Sequence, residues 1–188
     1  MGDDAIRALV ARNPGQATFE EYKLVHDVVL ERAPCNMLVF GVGRDSGLWM
    51  DANAGGRTVF LEDVAQWVDA ARREAPGIVV HRVRYRTLRI MWPLLRRVPT
   101  WLYMKDLPPA VTDTSWDVIL VDAPRGKHWQ RPGRMKSVYT ASVLGRDSGA
   151  DVFVHDCDRR VEAETSDQFL GMRDLVTQAG SMRHYRLR

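Results

Sequence analysis

Cysteine is almost absent: Cys35 and Cys157 are the only two in 188 residues. Two cysteines so far apart make neither a metal-ligand spacing nor a disulfide framework, and they allow at most one bridge. Long apolar runs are missing too, and no stretch approaches the roughly 20 residues of a membrane span. The opening "MGDDAIRALVARNPGQ" is acidic and lacks the basic-then-apolar layout of a secretory signal. Repeats, low-complexity tracts and long linkers are absent, so the length points to one domain with a substantial core. Charge of one sign is not in large excess either. A net charge of +3 does not by itself imply nucleic acid.

What is present is an alternation of two periodicities. "FEEYKLVHDVVLER" (19–32) has Phe19, Tyr22, Val25, Val28 and Val29 at helical spacing, and Pro34 stops it. "NMLVFGVG" (36–43), "RTVFLE" (57–62), "GIVVHRVRY" (77–85), "WDVILVDA" (116–123) and "ADVFVHD" (150–156) are short apolar runs that read as buried strands. Between them lie helical patterns at 46–54, with Ser46 as N-cap, at 63–75, with Asp63 at its start, and at 134–146. Residues 161–180 read as one or two helices and "MRHYRLR" (182–188) as a last strand. The proline-rich stretch 86–115 allows only short helices. Strands alternating with helices predict an α/β fold, a mostly parallel sheet with helices on both faces. It follows an N-terminal helical segment, residues 1–35, in a single domain spanning 1–188.

In such sheets ligands lie beyond the carboxyl ends of the strands. There stand Gly41-Val42-Gly43, Glu62, Tyr85, Asp122 and His155-Asp156. The two glycines let backbone approach a ligand without a Cβ. Ser46 replaces the third glycine of the dinucleotide signature. Glu62, about twenty residues on, can accept both hydroxyl protons of a ribose, or else Glu62-Asp63 simply begin a helix. A nicotinamide dinucleotide and S-adenosylmethionine both fit. The looser turn leans toward the latter, which carries no phosphate.

Several separated motifs go further. They are "LVFGVGRDS-x-x-W" (38–49), "N-x-GGRTVFLE" (53–62), "Y-x-T" (85–87), "WDVILVDAP-x-G" (116–126), "PGRM-x-x-VYTA" (132–141) and "DVFVHD-x-DR" (151–159). In this order the chain resembles the polysaccharide-biosynthesis methyltransferase family that includes plant glucuronoxylan 4-O-methyltransferases. The resemblance implies a Rossmann-like class I methyltransferase fold with S-adenosylmethionine as donor. The implied acceptor is a sugar hydroxyl, notably O4 of glucuronic acid in a glycan or oligosaccharide. Gly41, Gly43, Asp45 and Ser46 then look like the cofactor loop and Glu62 like the ribose ligand, with Asp63 and Tyr85 beside them. Asp122 stands in the family's "DAP", and His155, Asp156 and Asp158 in its "HD-x-D". Where the family usually carries a glutamate, this chain has Gln130, and its final hairpin is expected to be short or missing. The plant members are anchored in the Golgi. This chain is expected to be soluble as given, cytoplasmic by default, or in the Golgi lumen if an N-terminal anchor was removed.

A sugar hydroxyl is a very weak acid, so its methylation needs a base or a metal at the strand ends. Three readings are open. His155 or Asp156 acts as general base with Asp122 assisting. Asp122 and Asp156 hold a divalent cation such as Mg²⁺, an arrangement that metal-dependent small-molecule O-methyltransferases also resemble. Or Asp156 or Asp158 only caps the helix that follows. In the loop 123–135, Lys127, His128, Arg131 and Arg134 can pair with a uronate carboxylate, and Trp129 can stack on a sugar ring or pack in the loop. His26, His81 and His184 read as structural or exposed, and Trp49, Trp67 and Trp116 as core. Arg82, Arg84, Arg86, Arg89, Arg96 and Arg97, with Trp92 and Trp101, make either a solvated basic face or a site for an anionic partner. That run keeps a nucleic acid or small metabolite in view as the weaker acceptor. Gln130 and the compact C-terminus keep in view a non-catalytic binding protein with the cofactor fold.

Overall fold

A computed structural model describes residues 2–188. Its centre is a sheet of seven strands: β1 (Asn36–Phe40), β2 (Arg57–Glu62), β3 (Val79–Arg82), β4 (Val118–Val121), β5 (Asp151–Val154), β6 (Leu175–Ala179) and β7 (Met182–Arg186). The order across the sheet is β3-β2-β1-β4-β5-β7-β6. The first five strands run parallel, and β7 enters antiparallel beside β5 with β6 at the edge. Strands are added to one side from β1 to β3 and to the other from β4 on, which leaves a crevice between β1 and β4 where the strand order switches.

The helices follow from the same patterns: α1 (Gly2–Arg12), α2 (Phe19–Arg32), α3 (Ser46–Ala52), α4 (Ala65–Glu74), α5 (Trp92–Leu95), α6 (Pro109–Thr112), α7 (Met135–Arg146) and α8 (Arg160–Ser166). Side chains alternate along each strand, so the sheet feeds two cores. Met37 and Val39 face one side, with α1, α2, α3 and α4 supplying Ile6, Val25, Trp49 and Val68. Leu38 and Phe40 face the other, against Val111, Val138 and Leu170. Strands β4 and β5 are buried along their whole length, which is why they read as continuous apolar runs.

Several expectations need correcting. Residues 161–180 are not all helix. A short π-helical stretch, Asp167–Gly171, ends α8, and Leu175–Ala179 is a strand. The final hairpin, expected to be short or missing, is therefore present, with β6 paired antiparallel to β7. Asp45, not Ser46, occupies the N-cap position of α3; Ser46 lies one residue inside it and its Oγ accepts from the Gly43 N–H at 3.0 Å. Helix α4 begins after Val64, so Asp63 does not start it. Helix α8 begins after Arg159, and neither Asp156 nor Asp158 caps it with a side chain. Trp49 and Trp116 are buried, but Trp67 is 37% exposed. Both cysteines are buried and free.

A buried acid holds the end of the sheet away from the crevice. Asp151 accepts from Arg32 Nη2 at 2.6 Å and from Arg186 Nε at 2.8 Å, and lies 2.7 Å from His184 Nε2. Burial alone would raise its pKa, but these partners hold it near 2. A depressed carboxyl pKa stabilises the fold above the unfolded value of 3.8 and stops doing so as pH falls through about 2. Asp151→Ala, which strands Arg32 and His184, is expected to cost about 3–5 kcal/mol in chemical denaturation. The difference from the parent protein should shrink as the pH is lowered from about 4 toward 2.

Candidate active site

The crevice lies at the C-terminal ends of β1, β2, β4 and β5. On the β1 side, Gly41 has φ 116, a left-handed conformation that favours glycine. A Cβ there would stand 3.2 Å from the Ala123 Cβ, so the turn after β1 and the end of β4 touch without a side chain between them. Glu62 reaches across from β2 and accepts from the Val42 N–H at 3.0 Å through Oε2 and from the Val64 N–H at 2.8 Å through Oε1. It thus fixes the loop it was expected to serve. Burial raises its pKa against the opposing pull of these bonds. Asp45 accepts from the Trp49 indole N–H at 3.0 Å, and burial together with the Asp122 charge lifts its pKa to about 6. The Tyr85 hydroxyl meets Ser137 Oγ at 2.9 Å, which also donates to the Ala123 carbonyl at 2.8 Å. Gly41, Gly43, Asp45, Ser46, Glu62 and Tyr85 therefore line one continuous set of contacts, with half-buried Asp63 next in sequence to Glu62.

On the β4–β5 side the structure brings together the acids and the histidine that were expected to converge. Asp122 Oδ1 lies 2.8 Å from His155 Nδ1. Ligand-capable atoms of Asp122, His155 and Asp156 all fall within 4.8 Å of one another. Asp156 has φ 64, uncommon for any residue but glycine, and this turns the chain sharply as it leaves β5.

Arg134 occupies the middle of this group. Its Nη2 donates to Asp122 Oδ1 at 2.8 Å and to the Asp122 carbonyl at 3.0 Å, and stands 2.5 Å from Asp156 Oδ2. Arg159 Nη1 reaches the same Asp156 oxygen at 2.6 Å. Arg134 is 5% exposed, and its Nε and Nη1 are buried without a hydrogen-bond partner. Each unmet donor of this kind costs on the order of 1–3 kcal/mol unless a ligand or water reaches it. The guanidinium expected to face a uronate is thus turned inward onto the acids. Lys127, His128, Trp129 and Arg131 lie exposed on the loop, and among the described residues their side chains make no hydrogen bond or ion pair with this cluster.

The charges set the proton affinities. Burial would raise the Asp122 pKa, but Arg134 and the His155 bond outweigh it and hold the carboxyl below its usual range. Burial would lower His155, but the bond to Asp122 and that carboxylate's charge prevail and raise it above 6.5. Behind the imidazole stands Glu21, whose Oε1 is 3.6 Å from His155 Nε2. Sequence reasoning missed this residue. Thr18 and Glu21 are legible as a capping box, and the box forms, with Thr18 N donating to Glu21 Oε2 at 2.7 Å. The same carboxylate also accepts from Ser181 N and Ser181 Oγ, each at 2.7 Å, a contact across 160 positions that no local pattern announces.

Known proteins are similar to this chain in sequence or in fold. The family described as IRX15/IRX15L/GXM matches residues 20–97 and 93–185. Glucuronoxylan 4-O-methyltransferase 2 of Arabidopsis thaliana is 36% identical, with 100% of this chain aligned to 71% of that protein. Arabinogalactan O-methyltransferase 2 of the same plant is 35% identical over 92% of this chain and 67% of its own length. Among solved structures, an O-methyltransferase from Bacillus cereus in complex with SAH superposes with TM-score 0.59 at 14% identity, covering 98% of this chain and 90% of that one. A TehB-like SAM-dependent methyltransferase from Corynebacterium glutamicum gives 0.57 at 12% identity, covering 98% and 95%. These two share the Rossmann-like methyltransferase fold. By sequence, over nearly its whole length, the chain belongs to the IRX15/IRX15L/GXM family.

Proposed function

We propose that this protein is an S-adenosylmethionine-dependent O-methyltransferase acting on a sugar hydroxyl of a glucuronic acid-bearing glycan, with O4 of the uronate as acceptor. The observation that carries the proposal is the Asp122–His155 pair. It stands at the end of β4, the Asp122 side chain is 37% exposed, and the following residue touches the glycine turn at Gly41. The proposal also draws on the names of the relatives, which act on glucuronoxylan or arabinogalactan.

The donor would be held by the Gly41–Ser46 loop and by Glu62, whose oxygens keep lone pairs beyond the two backbone N–H groups. S-adenosylmethionine supplies a methyl group already activated on sulfonium, so the chain's own residues have to position the acceptor oxygen and take its proton. That proton passes to the Asp122–His155 pair as the oxygen attacks. Arg134 keeps Asp122 ionised, and that carboxylate holds the His155 ring by its Nδ1 and raises its proton affinity, so the imidazole is the stronger base of the pair. Asp156 serves as an anchor for Arg134 and Arg159, not as a base, because one of its oxygens already meets two guanidinium groups.

A second reading of the same residues has a specific observation behind it. The donor set of Asp122, His155 and Asp156 fits a hard divalent cation in type and spacing. The positive charge between the acids here is Arg134's, so a metal has to displace that guanidinium from Asp122 and Asp156. A bound cation would lower the pKa of the acceptor hydroxyl. Loss of turnover in chelator, restored by Mg²⁺ or Mn²⁺, selects this reading; full turnover in chelator selects the guanidinium-balanced pair.

Three measurements test the proposal. Calorimetry should detect S-adenosylmethionine binding, and Glu62→Ala should weaken it at least tenfold, through both the missing ribose contact and the released Val42 loop. Asp122→Ala should keep donor binding within about threefold. It should cut methylation of glucuronoxylan fragments by roughly 10²–10⁴, the range for loss of a positioned base. Unchanged turnover would remove Asp122 from the chemistry. The His155 ring protons, followed by NMR, should titrate above pH 6.5, so the base form grows in as pH rises through that raised midpoint. Asp122→Asn, which removes the charge that favours the imidazolium, should move the midpoint to lower pH.

A further inference from the structure

A second cavity, separate from the strand-end site, opens between the segment after β3 and the first turns of α8. Its volume is about 680 Å³, within the range of small-ligand sites. Arg89, Arg96, Arg97 and Arg160 line it, with Trp92 and Glu164. Four guanidinium groups thus line it with one carboxylate, and a second carboxylate, Glu162, pairs with Arg89 from behind the wall. Glu164 is already engaged, by Arg160 Nε at 2.6 Å, Trp92 Nε1 at 2.8 Å and Arg96 Nη1 at 3.3 Å. The Arg97 side chain makes no hydrogen bond or ion pair among the described residues, and Arg89 Nε is buried without a partner. The groove therefore carries positive charge that the protein itself does not neutralise.

It also adjoins the acceptor site. Arg89 Nη2 pairs with fully buried Glu162 at 3.0 Å. A Cβ on Gly133, the residue before Arg134, would stand 2.5 Å from Arg89 Cγ and 3.2 Å from Glu162 Oε1. The Arg89 N–H donates to the Arg131 carbonyl and the Ile90 N–H to the Trp129 carbonyl. One wall thus serves as the side of the groove and as the support of the loop beside Asp122.

We propose that this groove is a subsite for an acidic polysaccharide, binding the carboxylates of uronates other than the one being methylated. The inference builds on the acceptor class proposed above. Arginine forks match carboxylates in two-point geometry, and Ile90, Pro93 and Val161 give the lining apolar surface that suits the C–H faces of sugar rings. A nucleic acid is the poorer fit, because single strands bind by stacking bases on open aromatic faces. The aromatic residue lining this groove, Trp92, is only 4% exposed, and Arg96 covers its ring at 5.5 Å from the centroid.

The test uses Arg96→Ala/Arg97→Ala and, as a second variant, Arg97→Glu at an exposed position, with thermal melting to establish that both fold. Binding is measured by titration with an oligogalacturonate, a neutral xylo-oligosaccharide and single-stranded poly(U). The parent protein should bind the oligogalacturonate in a salt-sensitive way. Both variants should lose at least fivefold in that affinity while S-adenosylmethionine binding stays unchanged. With long glucuronoxylan, KM should rise about tenfold at constant kcat, whereas KM for a fragment bearing a single glucuronate should not move. Equal oligogalacturonate binding by parent and variants overturns the proposal, as does an equal loss for the neutral sugar. Tighter binding of poly(U) that the variants lose also overturns it, and assigns the groove to nucleic acid. If no glycan accepts a methyl group, the proposed activity fails while the binding arm still reads the groove on its own.

Discussion

One guanidinium holds the reactive end of this molecule together. Strands β4 and β5 run parallel and finish side by side; Asp122 follows the first, and Asp156 stands two residues past the second. Two carboxylates this close repel one another and resist joint ionisation. Arg134 Nη2 sits between them, 2.8 Å from one and 2.5 Å from the other. A cation buried to 5% exposure is tolerable only with such partners, and its charge helps hold the Asp122 carboxyl below its usual range. The rest of the site follows from that balance. Asp122 stays ionised and draws the imidazole of His155, which in turn lies against Glu21. Asp156 is consumed in the balance, helped by Arg159, and its left-handed backbone marks the sharp exit from the strand.

The same residues tie the site to its surroundings. Arg134 ends a loop, residues 123–133, whose glycines are close-packed against a second buried ion pair, Arg89–Glu162. Burial raises the pKa of Glu162, with Arg89 opposing, and its Oε1 lacks a partner. The loop is therefore pinned at both the acids and the arginine groove. On the proposed function, acceptor binding in the groove and proton removal beside Asp122 would be joined through a few ångströms of packed side chains.

Much of this was legible in the sequence because parallel strands buried on both faces leave apolar runs that end abruptly. The runs gave β1, β2, β4 and β5, and their last residues gave Gly41, Glu62, Asp122, His155 and Asp156 as neighbours in one crevice. What was illegible has specific causes. The strand Leu175–Ala179 sits at the sheet edge with no fully buried side chain, so "LVTQA" carries no alternation to distinguish it from helix. Trp67 reads as core by residue type, but it lies on the exposed side of α4. Arg134 sits in a charged loop that reads as surface, and only the fold turns it inward. Glu21 is visible as half of a capping box, but its contacts with Ser181 and His155 depend on the closing hairpin.

Glu21 has a mechanical consequence of its own. It joins the first turn of α2 to the turn between β6 and β7 and places both behind His155. Opening of that hairpin would let water reach the imidazole and slacken the carboxylate behind it. Local opening of the hairpin and, on the proposed function, the readiness of the proton acceptor are then one equilibrium, so the hairpin backs the Asp122–His155 pair as well as bordering the sheet.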